Sequence, residues 1–374
     1  MTIKGNPLRI LFILDTTDRG ERNMIIGMNR QGVTTTVVCR PDAPGRVELE
    51  AAGIDVVPIH FRTKLDGAAR KALRQLLDQN EFDLVHVFSK KPLINWTLAT
   101  LGRKTPPVVA YRGIIGNMSY WDPFSWLSFL NPNLARWVCV CEAIRQYFLD
   151  KKFLLVFSLF KPERVVTIHK GHRLEWYQQQ GGEPLLPTVG VPVGAPVIGC
   201  IARMKKRNGI LELIRSMESI TAEKPPHLVL IGRVLDEEIR TACEASPCKD
   251  RIHLLGFHPD AARMAGEFDI LTLPSLRREG LPRAVIEGMA QGIVPVVSDS
   301  GGNPELVEDG ISGLVVPAGD ADALAKAFSQ LLNDPVQARK MGGEAKNRIR
   351  DHFNVERTIE QTLALYSDVL KERA

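Results

Sequence analysis

The sequence has little of what marks membrane-spanning or secreted proteins. No apolar run approaches the roughly 18 residues that a membrane-spanning helix needs. The first such run, Ile10 to Leu14, is followed at once by Asp15, so it predicts a buried strand and not a signal peptide. We therefore expect a cytoplasmic protein, with peripheral attachment to the inner face of the membrane as a further option.

Cysteine pairs and glycine-rich signatures are also absent. The six cysteines show no Cys-x-x-Cys spacing, which is typical of reduced structural thiols, and no metal site is predicted. Neither the Gly-x-Gly-x-x-Gly fingerprint of dinucleotide-binding domains nor a P-loop occurs, and the segment 15–20 after the first predicted strand holds a single glycine, Gly20. These absences argue against a dehydrogenase and against a P-loop enzyme.

Positive charge is unevenly spread along the chain. Residues 1–189 hold 25 Lys and Arg against 17 Asp and Glu, whereas the remaining residues hold 23 against 26. A basic half is compatible with an acidic partner such as a phosphorylated glycolipid, an anionic membrane or nucleic acid. The basic surplus is equally compatible with an ordinary solvated surface that binds no acidic partner.

Short apolar runs alternate with helical periods throughout, which is typical of parallel sheets covered by helices. The predicted strands lie at 10–14, 34–39, 56–59, 84–88, 108–111, 138–141 and 165–168, and again at 197–201, 227–232, 252–255, 270–273, 294–297 and 314–316. Residues 173–196 interrupt this pattern with four prolines and a Gln-Gln-Gln-Gly-Gly run. We predict an α/β protein of two doubly wound, Rossmann-like domains, with bounds at 1–175, a linker at 176–196, 197–354, and a terminal helix at 355–374.

Two carboxylates stand on either side of one predicted helix start. Gly280 and Pro282 favour a turn, Glu279 lies just ahead of the helix, and Glu287 lies about two turns into it. Backbone N–H groups at such a start can meet an anion or a sugar hydroxyl. A glutamate pair in this setting is, however, more often a capping feature and a solvated face.

The motifs that follow make the pattern specific. Residues 279–287, then Gly301-Gly302-Asn303-Pro304-Glu305 and then 313–317, together resemble the nucleotide-sugar domain of retaining glycosyltransferases of family 4. The resemblance covers most of the chain, densely after residue 190. It implies the GT-B fold, in which two Rossmann-like domains face a cleft and the C-terminal helix crosses back to the first domain.

The resemblance also implies site residues. Glu279, near the donor sugar, and Arg203, near the diphosphate, are the expected catalytic residues. The other expected donor-binding residues are Gly20, Lys206, Arg207, Phe257, Gly280, Leu281 and Glu287.

Three positions depart from the family pattern. Asn208 replaces a lysine that grips the diphosphate, so either Lys206 or Arg207 substitutes for it or phosphate binding is weakened. Arg19 replaces one of two glycines, and Arg112 replaces a histidine. As a cation, Arg112 is an expected contact for an anionic acceptor, together with Trp121. The segments 120–130 and 151–161 fit either an acceptor or lipid interface, or core and cleft wall.

We therefore predict a metal-independent, retaining hexosyltransferase that acts on a cell-envelope glycan or glycolipid, such as lipopolysaccharide core. Its donor would be a nucleotide sugar, UDP- or GDP-linked, and no further cofactor and no nucleic-acid partner are expected. An anionic membrane surface is a further candidate partner. A nucleotide-sugar epimerase and a non-catalytic scaffold with a residual donor pocket are the alternatives.

Overall fold

The computed structural model describes the chain except residues 1, 4–5, 117–121, 123, 127–130, 132, 154–156, 159, 179–181 and 374. The chain divides into two compact units. Unit 1 comprises Met1–Gly171 and Asn354–Ala374, and unit 2 comprises His172–Phe353. The segment 176–196, predicted as a linker, thus falls within unit 2.

Each unit contains one parallel sheet. The strands of unit 1 are β1 (Arg9–Ile13), β2 (Thr34–Cys39), β3 (Asp55–Pro58), β4 (Leu84–Val87), β5 (Val108–Arg112), β6 (Leu134–Cys139) and β7 (Val165–Thr167). Those of unit 2 are β8 (Val197–Ile201), β9 (His227–Ile231), β10 (Ile252–Gly256), β11 (Ile270–Leu273), β12 (Val294–Ser298) and β13 (Leu314–Val316). Their spatial orders are β7-β6-β5-β4-β1-β2-β3 and β10-β9-β8-β11-β12-β13.

The helices of the described residues follow the strands in alternation. They are α1 (Arg19–Arg30), α2 (Arg46–Ala51), α3 (Gly67–Gln79), α4 (Lys90–Ala99), α5 (Glu142–Leu149), α6 (Ile210–Ser216), α7 (Glu238–Ala245), α8 (Ala261–Ala265), α9 (Arg283–Gln291), α10 (Asn303–Leu306), α11 (Ala321–Asn333), α12 (Pro335–His352) and α13 (Val355–Lys371). Two short antiparallel pairs join Thr2–Ile3 to Asn6–Pro7 and Lys152–Phe153 to Phe157–Ser158. The predicted α/β class with two parallel sheets is confirmed.

The strands form where apolar, β-branched runs can be covered on both faces, as parallel sheets require. The core of unit 2 shows this, because Ile198, Leu230 and Val296 are all fully buried. In unit 1, α13 packs on α1, and its Tyr366 is fully buried. Nowhere in the described part of the chain is a helix both long enough and apolar enough to cross a bilayer.

Both sheets reverse their direction of winding beside their first strand. In unit 1 the reversal lies between β4 and β1, and in unit 2 it lies between β8 and β11. At such a switch point the connections leave in opposite directions and open a crevice at the carboxyl ends of the strands, which is where open α/β sheets bind ligands. The loops at these two points are therefore the expected ligand-binding loops.

Candidate functional site

The loop after β8 is fixed by its backbone. Met204 is fully buried and pairs with Val234, and its N–H donates to the Arg233 carbonyl at 3.0 Å. A 3₁₀ turn over Lys206–Asn208 follows and ends at Gly209, where φ is +71°. The loop is therefore held against the loop after β9, and its side chains are projected from a rigid base.

The loops after β8 and β11 touch directly at the switch point. The Leu276 N–H donates to the Arg207 carbonyl at 2.8 Å. A Cβ at Gly209 would lie only 1.8 Å from the Pro274 carbonyl oxygen, so glycine is required by the close approach as well as by the backbone angle. This contact sets the cationic turn beside the segment that carries Glu279.

The basic residues of the turn have different surroundings. Arg203 is exposed and Arg207 is half-buried. Lys206 forms an ion pair with Glu238 of α7, and its backbone N–H donates to Asp236 at 2.8 Å. Asn208 is buried, and its amide donates to the Arg203 carbonyl at 2.8 Å.

Glu279 is the carboxylate that this arrangement places near cations. The Ser275 hydroxyl donates to its Oε2 at 2.9 Å, and the Ser298 hydroxyl donates to the Ser275 carbonyl at 2.5 Å. Burial raises the pKa of Glu279, while the Ser275 hydrogen bond and the charges of Arg207 and Arg203 act in the opposite direction. The carboxylate is thus partly desolvated, held by Ser275 and electrostatically coupled to both arginines.

The other predicted donor contacts that belong to unit 2 lie along the same edge of its sheet. The Gly280 N–H acts on the Glu279 carboxylate in the direction that lowers its pKa, and Leu281 is half-buried just before α9. Glu287 is buried, and one oxygen accepts from Arg283 Nε at 2.6 Å, although Arg283 itself is largely exposed. Phe257, directly after β10, is 80% exposed. An exposed aromatic ring at a strand's carboxyl end is available for stacking against a planar ligand.

In unit 1 the structure gives the predicted residues other surroundings. Gly20 lies in the first turn of α1, and a Cβ there would meet Lys170 Cγ at 3.0 Å. Arg112 is buried and donates to the carbonyls of Ile114 and Gly116, so these bonds brace the loop that follows β5. Trp121 lies outside the described residues, as do parts of the segments 120–130 and 151–161.

Sequence reasoning missed a charged cluster at the start of α1. Asp18 and Glu21 form a capping box, with the Glu21 N–H donating to Asp18 at 2.8 Å. The Lys170 ammonium donates to Asp18 and, at 2.9 Å, to Glu21. Asp followed three residues later by Glu is a visible capping signal. Their partner, Lys170, lies about 150 residues away in the sequence, and no local pattern predicts this contact.

Comparison with known families agrees with this architecture. Residues 21–176 match the model described as Glycosyltransferase Family 4, and residues 195–334 match the model described as Glycosyl transferases group 1. The first match covers most of the sheet of unit 1, and the second covers the sheet of unit 2. The chain belongs to the GT-B glycosyltransferases. The predicted family is thereby confirmed.

Relatives of this GT-B glycosyltransferase include proteins that build bacterial envelope glycans. It is 29% identical to the lipopolysaccharide core biosynthesis mannosyltransferase LpcC of Rhizobium leguminosarum bv. viciae, over 52% of this chain and 57% of that protein. It is 23% identical to the UDP-Gal:alpha-D-GlcNAc-diphosphoundecaprenol alpha-1,3-galactosyltransferase of Escherichia coli, over 80% and 79%. Six of the similar curated proteins align over only 31% to 60% of their own length.

Solved structures show the same fold. Anabaena Alr3699/HepE in complex with UDP superposes with a TM-score of 0.78 at 19% identity, covering 96% of this chain and all of that one. At this identity the likeness establishes the fold alone.

Proposed function

We propose that the protein transfers a hexose from a nucleoside diphosphate sugar to a hydroxyl group of a cell-envelope glycan or glycolipid. The observation that carries the proposal is the position of Glu279, a partly desolvated carboxylate coupled to Arg207 and Arg203 at the switch point of unit 2. A cationic site beside a positioned carboxylate suits a ligand that has both a diphosphate and sugar hydroxyls.

The chemistry follows from the charges that develop. When the bond between the anomeric carbon and the diphosphate oxygen breaks, negative charge grows on the leaving group and positive charge grows on the sugar ring. Fixed arginines stabilise the first and a nearby carboxylate stabilises the second. In the proposed retaining reaction the acceptor oxygen attacks the face that the leaving group vacates, and its proton passes to the departing phosphate oxygen. Arginine side chains supply the stabilisation that a metal ion would otherwise give, so we propose a metal-independent enzyme.

The acceptor class rests on the relatives. Two proteins similar to this chain are named for lipopolysaccharide core biosynthesis and for transfer of galactose to a GlcNAc-diphosphoundecaprenol. An envelope acceptor in this chain is the simplest extension of that likeness. One name gives a mannosyltransferase and the other a galactosyltransferase, so the donor test covers several nucleotides and their sugars.

Attachment to an anionic membrane is the further part of the proposal. In unit 1, Leu65 and Ile114 are each about half exposed, and Lys64 Nζ lies 4.4 Å from the centre of the Phe124 ring. The exposed Leu65, next in the chain to Lys64 and its aromatic contact, suits a lipid headgroup layer. Flotation with anionic and with neutral liposomes tests this part, and absence of binding to anionic liposomes at low salt would reject it.

The donor is tested by thermal shift with UDP, GDP, ADP, CMP and the matching sugars, each with and without EDTA. A nucleotide at 100 times its Kd adds about 2.7 kcal/mol of stability, which is easily measured. We expect one diphosphate to raise the melting temperature irrespective of EDTA, and its sugar to be consumed when acceptor glycolipid is added. If no nucleotide raises the melting temperature, the protein does not bind a donor, and a non-catalytic scaffold replaces this proposal.

A further inference from the structure

The loop that joins β11 to α9 is held at both ends by backbone contacts. At its start the Leu276 N–H donates to the Arg207 carbonyl at 2.8 Å. At its other end Gly301 lies so close that an added Cβ would come within 2.1 Å of the Glu279 carbonyl oxygen. The two arginines between these points, at 277–278, therefore have a fixed backbone directly before Glu279.

Arg278 has an unfavourable backbone conformation. Its φ is +65°, and it is the one non-glycine residue with a positive φ within the described ranges. A Cβ is disfavoured in this left-handed region, whereas glycine and asparagine adopt it at lower cost. Residues that their surroundings hold in this way cluster at ligand-binding and catalytic sites. The chain thus keeps an arginine directly before Glu279 at a cost in the free energy of folding.

Arg277 and Arg278 are also uncompensated charges. Both residues are exposed, and neither forms an ion pair with any carboxylate that the structure describes. The next arginine along the chain differs, because Arg283 pairs with Glu287 at 2.6 Å. The loop therefore places two positive charges next to Glu279 and leaves them available to a ligand.

The proposed reaction makes these two charges unfavourable unless an anion accompanies them. Positive charge grows on the sugar ring in the transition state, and Glu279 is the carboxylate proposed to stabilise it. Two further cations beside this carboxylate would oppose that stabilisation, since like charges a few ångströms apart repel each other. The diphosphate already has its own arginines, so an anion for Arg277 and Arg278 must come from another part of a substrate.

We propose that Arg277 and Arg278 bind a phosphate or carboxylate group carried by a sugar substrate beside Glu279. This proposal rests on the function proposed above and names the class of substrate at that site. The planar guanidinium fork suits both groups, because it donates to two oxygens at once. The sequence predicted an anionic contact for Arg112, but Arg112 donates to carbonyls of its own loop. Either the acceptor sugar or the donor sugar can carry the anion, and the test separates the two.

The test removes each charge without disturbing the loop. Arg278→Asn keeps a residue that tolerates a positive φ, and Arg277→Gln keeps a polar side chain. Arg339→Gln is the matched control, because Arg339 of α12 is likewise exposed and has no ion-pair partner among the described residues. Melting temperatures of the ligand-free variants show that they are folded. Should Arg278→Asn unfold, Arg278→Gly replaces it, since glycine adopts the same φ.

Binding is measured by calorimetry in two arms. In the acceptor arm the protein is saturated with UDP or GDP, whichever raises its melting temperature, and receives glucose, glucose 6-phosphate or glucuronate. In the donor arm UDP-glucose is compared with UDP-glucuronate, or GDP-mannose with GDP-mannuronate. We expect the charged ligand to bind about 10- to 100-fold more tightly than the neutral one in one of the arms. Arg278→Asn and Arg277→Gln should each remove most of this preference, whereas Arg339→Gln should keep it. Every variant should retain the affinity of the wild type for the nucleotide itself.

The outcomes separate this assignment from the proposed function. A preference for charge in the acceptor arm assigns the anion to the acceptor sugar, and one in the donor arm assigns it to the donor sugar, which is then a hexuronate. If neither arm shows a preference, or if it survives in Arg277→Gln and Arg278→Asn, the assignment is overturned while nucleotide binding upholds the proposed function. Loss of nucleotide binding in these variants would place the arginines on the diphosphate and overturn the assignment too. If the wild-type protein binds no nucleotide, both fail.

Discussion

The two units place opposite charges at the same point of the same topology. In unit 1 the first helix after the switch-point strand, α1, begins with Asp18 and Glu21, and Lys170 neutralises them from within the unit. In unit 2 the corresponding helix, α6, has Gly209 as its N-cap, without a side-chain cap, and is preceded by an arginine-bearing turn. The carboxylates at one helix start are neutralised by a lysine of the same unit, and the turn before the other helix carries Arg203 and Arg207.

The difference shows that the fold provides a crevice and local residues decide its use. Net charge would mislead here, since residues 1–189 carry the basic surplus while their switch point has a pair of carboxylates. The second half is slightly acidic overall, yet it holds Arg203 and Arg207 beside Glu279. Electrostatic recognition of a small ligand depends on the few charges within several ångströms of it.

The largest expected effect is on catalysis. Glu279→Gln keeps the size of the side chain and removes its charge, so it should reduce sugar transfer by about 100-fold or more, as loss of one positioned electrostatic group does. Initial rates with the donor found by thermal shift measure this. Glu267→Gln offers a matched control, because that carboxylate also lies in unit 2 but accepts from the Leu185 and Leu186 N–H groups. Full activity in Glu279→Gln would overturn the catalytic role of Glu279.

The same variant should be more stable than the wild type at neutral pH. Burial raises the pKa of Glu279, so the native state binds its proton more tightly than the unfolded state does. Stability from this group is therefore present at acidic pH and is lost as the pH rises through the folded-state pKa. Denaturant unfolding of the ligand-free proteins at pH 4 and pH 8 should show the gain in Glu279→Gln only at the higher pH.

Removal of the neutralising cation should be one of the two largest effects on stability. Lys170→Met leaves Asp18 and Glu21 without their shared partner, and we expect a loss of about 2–3 kcal/mol in the free energy of unfolding, below the value for a fully buried pair because Asp18 is partly exposed. Arg207→Met in unit 2 should cost less than about 1 kcal/mol. Equal losses in urea unfolding would contradict the contrast between the units.

The loss in Lys170→Met should also depend on pH. Burial raises the pKa of Glu21, and Lys170 is a charge that opposes the rise. Without Lys170 the native state favours protonated Glu21 still more, so the variant should regain stability as the pH falls and lose it as the pH rises through that raised pKa. Urea unfolding at pH 5 and pH 8 measures this, and a loss independent of pH would point to packing instead of charge.

Loss of the close contact between the two loops of unit 2 should have an effect of similar size. Gly209→Ala should destabilise the protein by about 2–3 kcal/mol, because alanine is disfavoured at φ +71° and its Cβ would collide with the Pro274 carbonyl. Gly102→Ala is the matched control, since φ there is +75° and the space is open. The difference between the two losses measures the collision alone. If they are equal, the close approach of the loops contributes nothing.

Most strands could be predicted because a short, local run of apolar, β-branched residues indicates a buried strand. Thr34–Cys39, Ile270–Leu273 and Leu314–Val316 have the predicted bounds. Strand β6 begins at Leu134, four residues before the prediction, since Arg136 interrupts the apolar run. Its side chain is buried and paired with Glu372, more than 200 residues away, and no local pattern reveals such a partner.

The site was predictable in its parts and not in its connections. Family motifs indicate Arg203 and Glu279, but they do not show that Ser275 holds Glu279 or that Asn208 braces Arg203. Both bonds depend on side chains brought together by the fold. The choice between Lys206 and Arg207 depends likewise on Glu238, which lies on another helix. Sequence reasoning proposes residue types, and tertiary contacts decide which of them lie together in the candidate site.

The smallest expected effect separates charge from capping at the start of α1. Asp18→Asn keeps a side-chain oxygen for the Glu21 N–H, and asparagine caps helices about as well as aspartate does. Asp18 is partly exposed and Glu21 still pairs with Lys170, so the free energy of unfolding should change by less than about 0.5 kcal/mol. Asp18→Ala, which also removes the cap, should cost about 1 kcal/mol. If Asp18→Asn costs as much as Asp18→Ala, the Asp18 charge and not its cap completes this helix start, and the two units differ by charge alone.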